Sequence, residues 1–169
     1  RKDTKAVLQK LKEGGMQVAM VTGDALLTAA HVAKEVAICD THDGVDEIDM
    51  LDFEKNEELI ALVKSRRALA SNGGRREKKS KKKNDRPLKP ILILEQDSLS
   101  SMYWQSYDDE SKVCAFVASE VAALATKNDL ATTGKNLAAA FEFDEGTKQV
   151  LQHFKIFARM TPDAKETVI

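Results

Sequence analysis

A short apolar run that ends in a tight turn and then passes into a helical pattern most constrains the fold of this 169-residue chain. Residues 18–21 are all apolar, and Thr22, Gly23 and Asp24 follow them at once. Helical spacing then extends over residues 25–36. The apolar positions available for its buried face are Leu27, Ala30, Val32 and Val36. A strand that feeds a helix through a tight turn predicts the start of a parallel α/β unit.

The turn itself offers groups that can bind an anion. Ligands of parallel sheets lie at the carboxyl ends of the strands, beside helix amino termini. The Thr22 hydroxyl and the backbone N–H groups after it can hold a phosphate there, and the helix dipole favours the negative charge. An equally simple interpretation makes Thr22 or Asp24 the N-cap of the helix and Gly23 the residue that allows the turn. The local sequence leaves both interpretations open.

Composition narrows the class of protein. Hydrophobic residues make up 43% of the chain, which suffices for the core of one domain. The net charge of −1 gives no overall field for nucleic acid or a membrane surface. Cys39 and Cys114 have no metal-ligand spacing and suit a reducing compartment. Because the chain begins at Arg1 and its last apolar helical pattern is interrupted at Ile169, we expect a fragment of a longer protein.

The middle of the chain predicts a hairpin and an insertion. Helices are predicted over 4–13 and 54–69, and strands over 90–94, 112–117 and 155–158. Trp104 alternates with its neighbours as on a hairpin strand, so core packing is its favoured role and an aromatic ligand platform is the alternative. Residues 71–86 are strongly basic and predict disorder, either as a solvated loop or as a tether for an anionic partner. Deleting them should leave the thermal stability nearly unchanged.

Two motifs resemble a known family. The sequence V-T-G-D at 21–24, followed by L-T-A at 27–29 and H-V-A at 31–33, resembles the phosphorylation domain of P-type ATPases, members of the haloacid dehalogenase superfamily. The sequence F-A-R-M-T-P-D-A-K at 157–165 is similar to a second motif of that family, and the two occur in the family's order. Residues 3–7 and 32–36 are most similar to the type V-A branch of the endoplasmic reticulum. Residues 1–40 and 129–169 match well, whereas the middle matches poorly.

The resemblance implies a fold and a parent enzyme. The expected fold class is α/β, a three-layer, Rossmann-like, haloacid-dehalogenase-like parallel sheet with a hairpin and a disordered basic insertion. Residues 1–169 would be part of the phosphorylation domain of an enzyme that forms an aspartyl-phosphate from ATP with Mg²⁺ and moves a transmembrane helix. Its partners would be ATP and the nucleotide-binding, actuator and membrane domains of the same polypeptide, with no nucleic acid. The domain would lie at the cytosolic face of the endoplasmic reticulum and reach the membrane only through its parent protein.

The resemblance also assigns roles to five residues. Thr22 and Gly23 would position the phosphoryl oxygens and Lys165 would neutralise their charge, so these three are the predicted catalytic residues. Asp24 would orient Lys165 or contact the nucleotide, and Arg159 would reach the ribose. If both motifs belong to one site, Thr22 and Lys165 must converge at the carboxyl edge of adjacent parallel strands. A second Thr-Gly break, at 133–134, resembles a variable scaffold segment of the family and is assigned no catalysis.

The predicted site is incomplete. The chain contains no D-K-T-G-T segment for the nucleophilic aspartate and no G-D-G-x-N-D segment for the Mg²⁺ carboxylates. Metal ligands are therefore expected outside the chain, which alone should not hydrolyse ATP. Within the family, a cation pump such as a manganese-like pump, or a polyamine pump, is the alternative, because membrane helices select the cargo. From another class, the alternative is a stand-alone haloacid-dehalogenase-like phosphatase or a non-catalytic binding domain.

Overall fold

The computed structural model describes residues 3–40, 88–97, 99–110 and 112–169. Its helices are α1 Thr4–Glu13, α2 Leu26–Glu35, α3 Val121–Lys127, α4 Gly134–Phe143 and α5 Pro162–Glu166. Its strands are β1 Met20–Val21, β2 Ile91–Gln96, β3 Met102–Ser106, β4 Val113–Ala115, β5 Asp129–Thr133 and β6 Phe154–Ala158. Two 3-10 helices span Ala118–Glu120 and Glu145–His153. The helix predicted over 54–69 and the basic insertion predicted over 71–86 lie outside the described residues.

The six strands of the described residues form one sheet in the order β1-β6-β5-β2-β3-β4. The first four strands in this order are parallel neighbours, whereas β3 pairs antiparallel with both β2 and β4. Parallel neighbours need crossover connections, and the helices in these connections cover the faces of the sheet. The predicted three-layer α/β fold with a hairpin is therefore confirmed.

Each face of the sheet has its own apolar core. On one face, the buried alanines of α2 pack in a cluster with Ile91 and Ile93 of β2. On the other face, Leu92 and Leu94 of the same strand pack with residues of α3 and α4. Successive side chains of a strand point to opposite faces, so a central parallel strand that is covered on both sides buries all of them. The first four residues of β2 show this pattern, whereas Glu95 and Gln96 at its end are half-buried.

The hairpin shares its core with the parallel strands. Trp104 of β3 is fully buried and is the largest such side chain in the described part of the chain. Its ring centroid lies 5.8 Å from that of Phe116 and 5.6 Å from that of Phe154 in β6. Tilted aromatic pairs at these distances stabilise a core beyond the area that they bury. The core interpretation of Trp104 is confirmed, and a ligand platform is excluded because the ring is not accessible.

The apolar residues of α1 and α2 are buried only in part. The helix α1 ends at the predicted residue, and Gly15 follows it at φ 79°, in the left-handed region. No residue of α1 is buried, and Leu8 contacts the core while Leu11 remains 36% exposed. In α2, the prediction for Leu27 is wrong, because this side chain is 51% exposed. The prediction for Ala30 is confirmed, and it faces the sheet with two further alanines, Ala29 and Ala33, whose small size lets α2 lie close to it.

The first strand is shorter than the predicted run of residues 18–21. In the described part of the chain β1 pairs only with β6, and the ladder includes only Met20 and Val21 of this run. No helix in the described ranges has the length and apolar character needed to cross a bilayer.

Candidate functional site

The loops that carry the two motifs meet at the carboxyl edge of the sheet. They follow β1 and β6, which are parallel neighbours. The Thr22 N–H donates to Phe157 O at 2.9 Å, and the Met160 N–H donates to Thr22 O at 2.9 Å. A third bond runs from the Arg159 N–H to Asp24 O at 2.9 Å. The backbone therefore joins the turn at 22–24 to the motif at 157–165, as a shared site requires.

The hydroxyl of Thr22 forms two hydrogen bonds with Asp24. Thr22 Oγ1 donates to Asp24 Oδ2 at 2.9 Å and accepts from the Asp24 N–H at 3.1 Å. Gly23 and Asp24 are exposed, and Thr22 is half-buried. A ligand that binds the hydroxyl must take the place of the Asp24 carboxylate. A phosphate oxygen can do so, because it accepts the same hydrogen bond.

The first turn of α2 has no side-chain cap. Its N-cap residue is Ala25, in extended conformation, and no side chain accepts a hydrogen bond in the capping position. The interpretation of Thr22 or Asp24 as the N-cap is wrong, because Thr22 Oγ1 bonds the Asp24 N–H ahead of the helix. The uncapped N–H groups and the helix dipole both favour an anion at this point.

The loop after β6 leads to Lys165 through a short helix. Thr161 accepts a hydrogen bond from the Ala164 N–H at 3.2 Å, and Pro162 occupies the first helical position, so Thr161 is the cap of α5. Arg159 is exposed, and Lys165 is half-buried near the end of α5. Neither of these two cations is in an ion pair with another residue of the described ranges. Their charges are therefore available to a ligand.

The predicted roles of Asp24 and Arg159 depend on contacts of their side chains. The Asp24 carboxylate bonds Thr22, and within the described residues no ion pair links Asp24 to Lys165. Orientation of Lys165 or contact with a nucleotide by Asp24 stays a prediction. The same is true of the contact between Arg159 and a ribose.

Sequence reasoning missed a third group of residues at this edge. Thr133 lies opposite Ala158 in the pair of β5 and β6, and its hydroxyl accepts from the Asn136 N–H at 3.3 Å. Asn136 Nδ2 in turn donates to Leu94 O at 3.0 Å and to Glu95 Oε2 at 2.9 Å. The signal for the cap was present as a threonine directly before a helical pattern. No local signal indicated Glu95, which comes from a strand 41 residues away.

Glu95 is an acid in a largely desolvated position. Burial raises the pKa of its carboxyl, and the hydrogen bond from Asn136 and the charge of Lys135 reduce that rise. The carboxylate thus ties β2 to the start of α4 beside the motif loops.

A second polar cluster lies at the opposite, amino edge of the sheet. This amino-edge cluster consists of Asp40, Asp129, Lys12, Lys89 and Lys155. The distances from the Asp40 carboxylate to the lysine Nζ atoms are 2.5 Å for Lys12, 3.5 Å for Lys155 and 3.8 Å for Lys89. The Asp40 N–H donates to Asp129 Oδ2 at 2.9 Å. Its three lysines already pair with the carboxylate of Asp40, so this edge is the weaker candidate for an anion site.

The acids of the amino-edge cluster are shifted in opposite directions. Burial opposes ionisation of Asp40, but the hydrogen bond from Lys12 and the charges of the three lysines outweigh it and lower its pKa. Burial raises the pKa of Asp129 to about 6, although the Asp40 N–H stabilises its carboxylate. Burial also raises the pKa of the free thiols Cys39 and Cys114 to about 12, so neither is an activated nucleophile.

The Mg²⁺ that the family resemblance implies does not fit the described residues. Within these ranges no group of three or more His, Cys, Asp and Glu side chains could hold a metal ion. Hard cations such as Mg²⁺ need carboxylate and other oxygen ligands. The described residues supply no such ligand set.

Comparison with known proteins supports the family relation. No family model matches the chain. The chain is 24% identical over all of its 169 residues to a probable manganese-transporting ATPase, PDR2, of Arabidopsis thaliana, and it spans 10% of the length of that protein. This similarity supports a relation to the P-type ATPases. It also supports an ATPase class for the full-length parent protein.

Proposed function

We propose that residues 1–169 are the central part of the phosphorylation domain of a type V-A P-type ATPase. In the parent enzyme, Thr22 and the Gly23 N–H hold phosphoryl oxygens, and the ammonium of Lys165 neutralises them. The observation that carries the proposal is the set of three backbone hydrogen bonds between the turn at 22–24 and the motif at 157–165. They lie at the carboxyl edge of a parallel sheet, where such sheets bind ligands.

The residues at this edge suit a phosphate. Gly23 is exposed, and among the described residues a Cβ built on it would have only Met160 O within contact range, at 3.9 Å. A phosphate can therefore approach the backbone from solvent. Lys165 supplies a point charge that has no ion-pair partner among the described residues. Asp24 and Arg159 are proposed to contact the nucleotide.

The proposed parent enzyme transfers the γ-phosphoryl group of ATP to an aspartate outside this chain and releases ADP. Water then hydrolyses the acyl phosphate. We propose that this cycle moves a transmembrane helix at the endoplasmic reticulum, with the domain at the cytosolic face. The support is the resemblance of residues 3–7 and 32–36 to the type V-A branch.

A second candidate cargo is a metal cation, because the name of the Arabidopsis relative describes manganese transport. The two candidates differ in what stimulates the purified parent protein. A helix dislocase should increase its ATP hydrolysis with a transmembrane peptide in detergent micelles, whereas a cation pump should respond to Mn²⁺. A response to a polyamine alone would favour the polyamine branch.

The role of Lys165 is tested in the full-length protein. Lys165→Ala should reduce phosphoenzyme formation from radiolabelled ATP on the order of 100-fold, because it removes a charge placed against the transferred group. The matched control is Lys127→Ala, which removes an exposed lysine at the end of α3. Both variants should keep the unfolding temperature of the parent. Equal phosphoenzyme levels in the two variants would overturn the proposed site.

The chain by itself should form no phosphoenzyme. The attacking aspartate and the metal carboxylates are absent from its sequence, so phosphate binding has no reaction to accelerate. Purified chain is incubated with radiolabelled ATP and Mg²⁺ and then precipitated with acid. A labelled, hydroxylamine-sensitive protein would contradict the proposal and favour a stand-alone enzyme of the superfamily.

A further inference from the structure

Gly134, the first residue of α4, packs tightly against the loop after β6. A Cβ built on it would lie 3.0 Å from Arg159 O, 3.3 Å from Met160 Sδ and 3.5 Å from Met160 Cα. Among the described glycines, only Gly15 has a positive φ. Gly134 is therefore not needed for an unusual backbone angle. What disfavours a side chain at this position is the packing, because a Cβ at 3.0 Å would require its neighbours to shift by a few tenths of an ångström.

The loop that faces Gly134 meets it with backbone atoms and is packed into the core through Met160. Arg159 lies at φ 48°, in the left-handed region that is unfavourable for residues other than glycine. Met160 is 4% exposed and belongs to the apolar core between the sheet and α4. The atom closest to the added Cβ belongs to the backbone, so a rotamer change cannot relieve the contact.

The same loop holds the turn of the proposed phosphate site. The Arg159 N–H donates to Asp24 O, and the Met160 N–H donates to Thr22 O. Arg159 therefore contacts the turn through its N–H and approaches Gly134 through its carbonyl. A displacement of that carbonyl tilts the adjoining peptide planes and is transmitted to the turn through these hydrogen bonds.

We propose that Gly134 is a positioning residue for the phosphate site. Its missing side chain lets α4 abut the loop of Arg159 and Met160, and this contact sets how the loop holds Thr22 and Gly23. The inference rests on the proposed function for the identity of the ligand. The effect of Gly134 on the turn at 22–24 is a property of this chain and does not depend on the ligand. The second Thr-Gly pair of the sequence thus acts on the site through the loop between them.

The test compares Gly134→Ala with Gly14→Ala in the 169-residue chain labelled with ¹⁵N. Gly14 is the matched control, because its φ is −77° and a Cβ there would make an ordinary contact at 3.4 Å with Leu11 O. We expect Gly134→Ala to remain folded, to move the amide resonances of residues 22–24, and to raise the dissociation constant of inorganic phosphate several-fold. Gly14→Ala should change neither quantity.

Two readouts keep the outcomes distinct. Resonance changes confined to residues near 134, with phosphate affinity equal to that of the unchanged chain, would overturn the positioning role. If the unchanged chain binds no phosphate while Gly134→Ala still moves residues 22–24, the proposed function fails and the positioning inference stands. Should Gly134→Ala not fold, Met160→Leu, which places a branched side chain against Gly134, should move the same resonances. Unmoved resonances in that variant would likewise overturn the inference.

Discussion

The two edges of the sheet differ in whether their charged side chains form ion pairs. At the amino edge, the carboxylates of Asp40 and Asp129 lie among three lysines drawn from separate parts of the chain. At the carboxyl edge, Arg159 and Lys165 form no ion pair within the described ranges, and the turn at 22–24 is largely exposed. Within the described residues, charged groups are thus paired where they join separate elements and unpaired at the edge of the proposed site. Stability and binding should therefore respond to different substitutions.

The largest effect on stability is expected from the amino edge. Asp40→Asn keeps the shape of the side chain but leaves three half-buried ammonium groups without their shared carboxylate. The free energy of unfolding should fall by about 3 kcal/mol at low salt. Urea titration measures this, and Asp108→Asn is the control, since its ion pair with Lys34 is long, at 3.6 Å, and Asp108 is 64% exposed. The control should change stability by less than about 0.5 kcal/mol, and equal losses would contradict the comparison.

A smaller effect at the same edge depends on pH. Folding raises the pKa of Asp129 from 3.8 to about 6, so the folded state binds its proton more tightly than the unfolded state. The stabilisation by protonated Asp129 is fully present below pH 3.8 and is lost as the pH rises through 6. Over this range the free energy of unfolding should fall by about 2 to 3 kcal/mol. Asp129→Asn should remove this slope.

The measurement is urea unfolding of the two proteins at intervals from about pH 4.5 to about pH 7.5, which covers most of the loss expected from the linkage of protonation to folding. Asp40 does not produce the same trend, because its pKa is lowered and its contribution disappears only when the pH falls below its ordinary value. Parallel stability curves for Asp129→Asn and the unchanged chain over this interval would refute the assignment.

The smallest effect on stability is expected at the carboxyl edge. Thr22→Val keeps the branched shape and removes the hydroxyl that bonds Asp24. Because these bonds are exposed to water, the free energy of unfolding should change by less than about 1 kcal/mol. Phosphate affinity of the chain, measured by calorimetry, should nevertheless fall several-fold. A loss of stability as large as that of Asp40→Asn, with unchanged phosphate binding, would remove the distinction between the two edges.

Much of the fold could be predicted because it depends on local patterns. The limits of α1, the cap at Thr161 and the buried position of Trp104 all follow from residues that are close in sequence. The buried face of α2 could be predicted only in part, at Ala30 and Val36. Leu27 and the alanines satisfy helical spacing equally well, and the close approach of the sheet selected the smaller side chains.

In the candidate site, too, residues within the two motifs could be predicted, whereas a residue that depends on a distant partner could not. The two motifs and their order are enough to single out Thr22, Gly23 and Lys165, and parallel pairing of β1 with β6 explains why their loops meet. Glu95 was missed because its partner Asn136 is 41 residues away. Nothing in the neighbouring sequence marks this strand-end carboxylate as part of the edge that carries the two motif loops.

The sequence by itself determined the α/β architecture and the chemistry available at the turn, since apolar periodicity and turn residues act over a few positions. Only the tertiary structure decided which distant groups meet. It brought Lys12, Lys89 and Lys155 to the carboxylate of Asp40. It also placed Gly134 so near the loop after β6 that a Cβ built on it would lie 3.0 Å from Arg159 O. Such contacts depend on strand order and on the close packing of helices against the sheet, which no short stretch of sequence encodes.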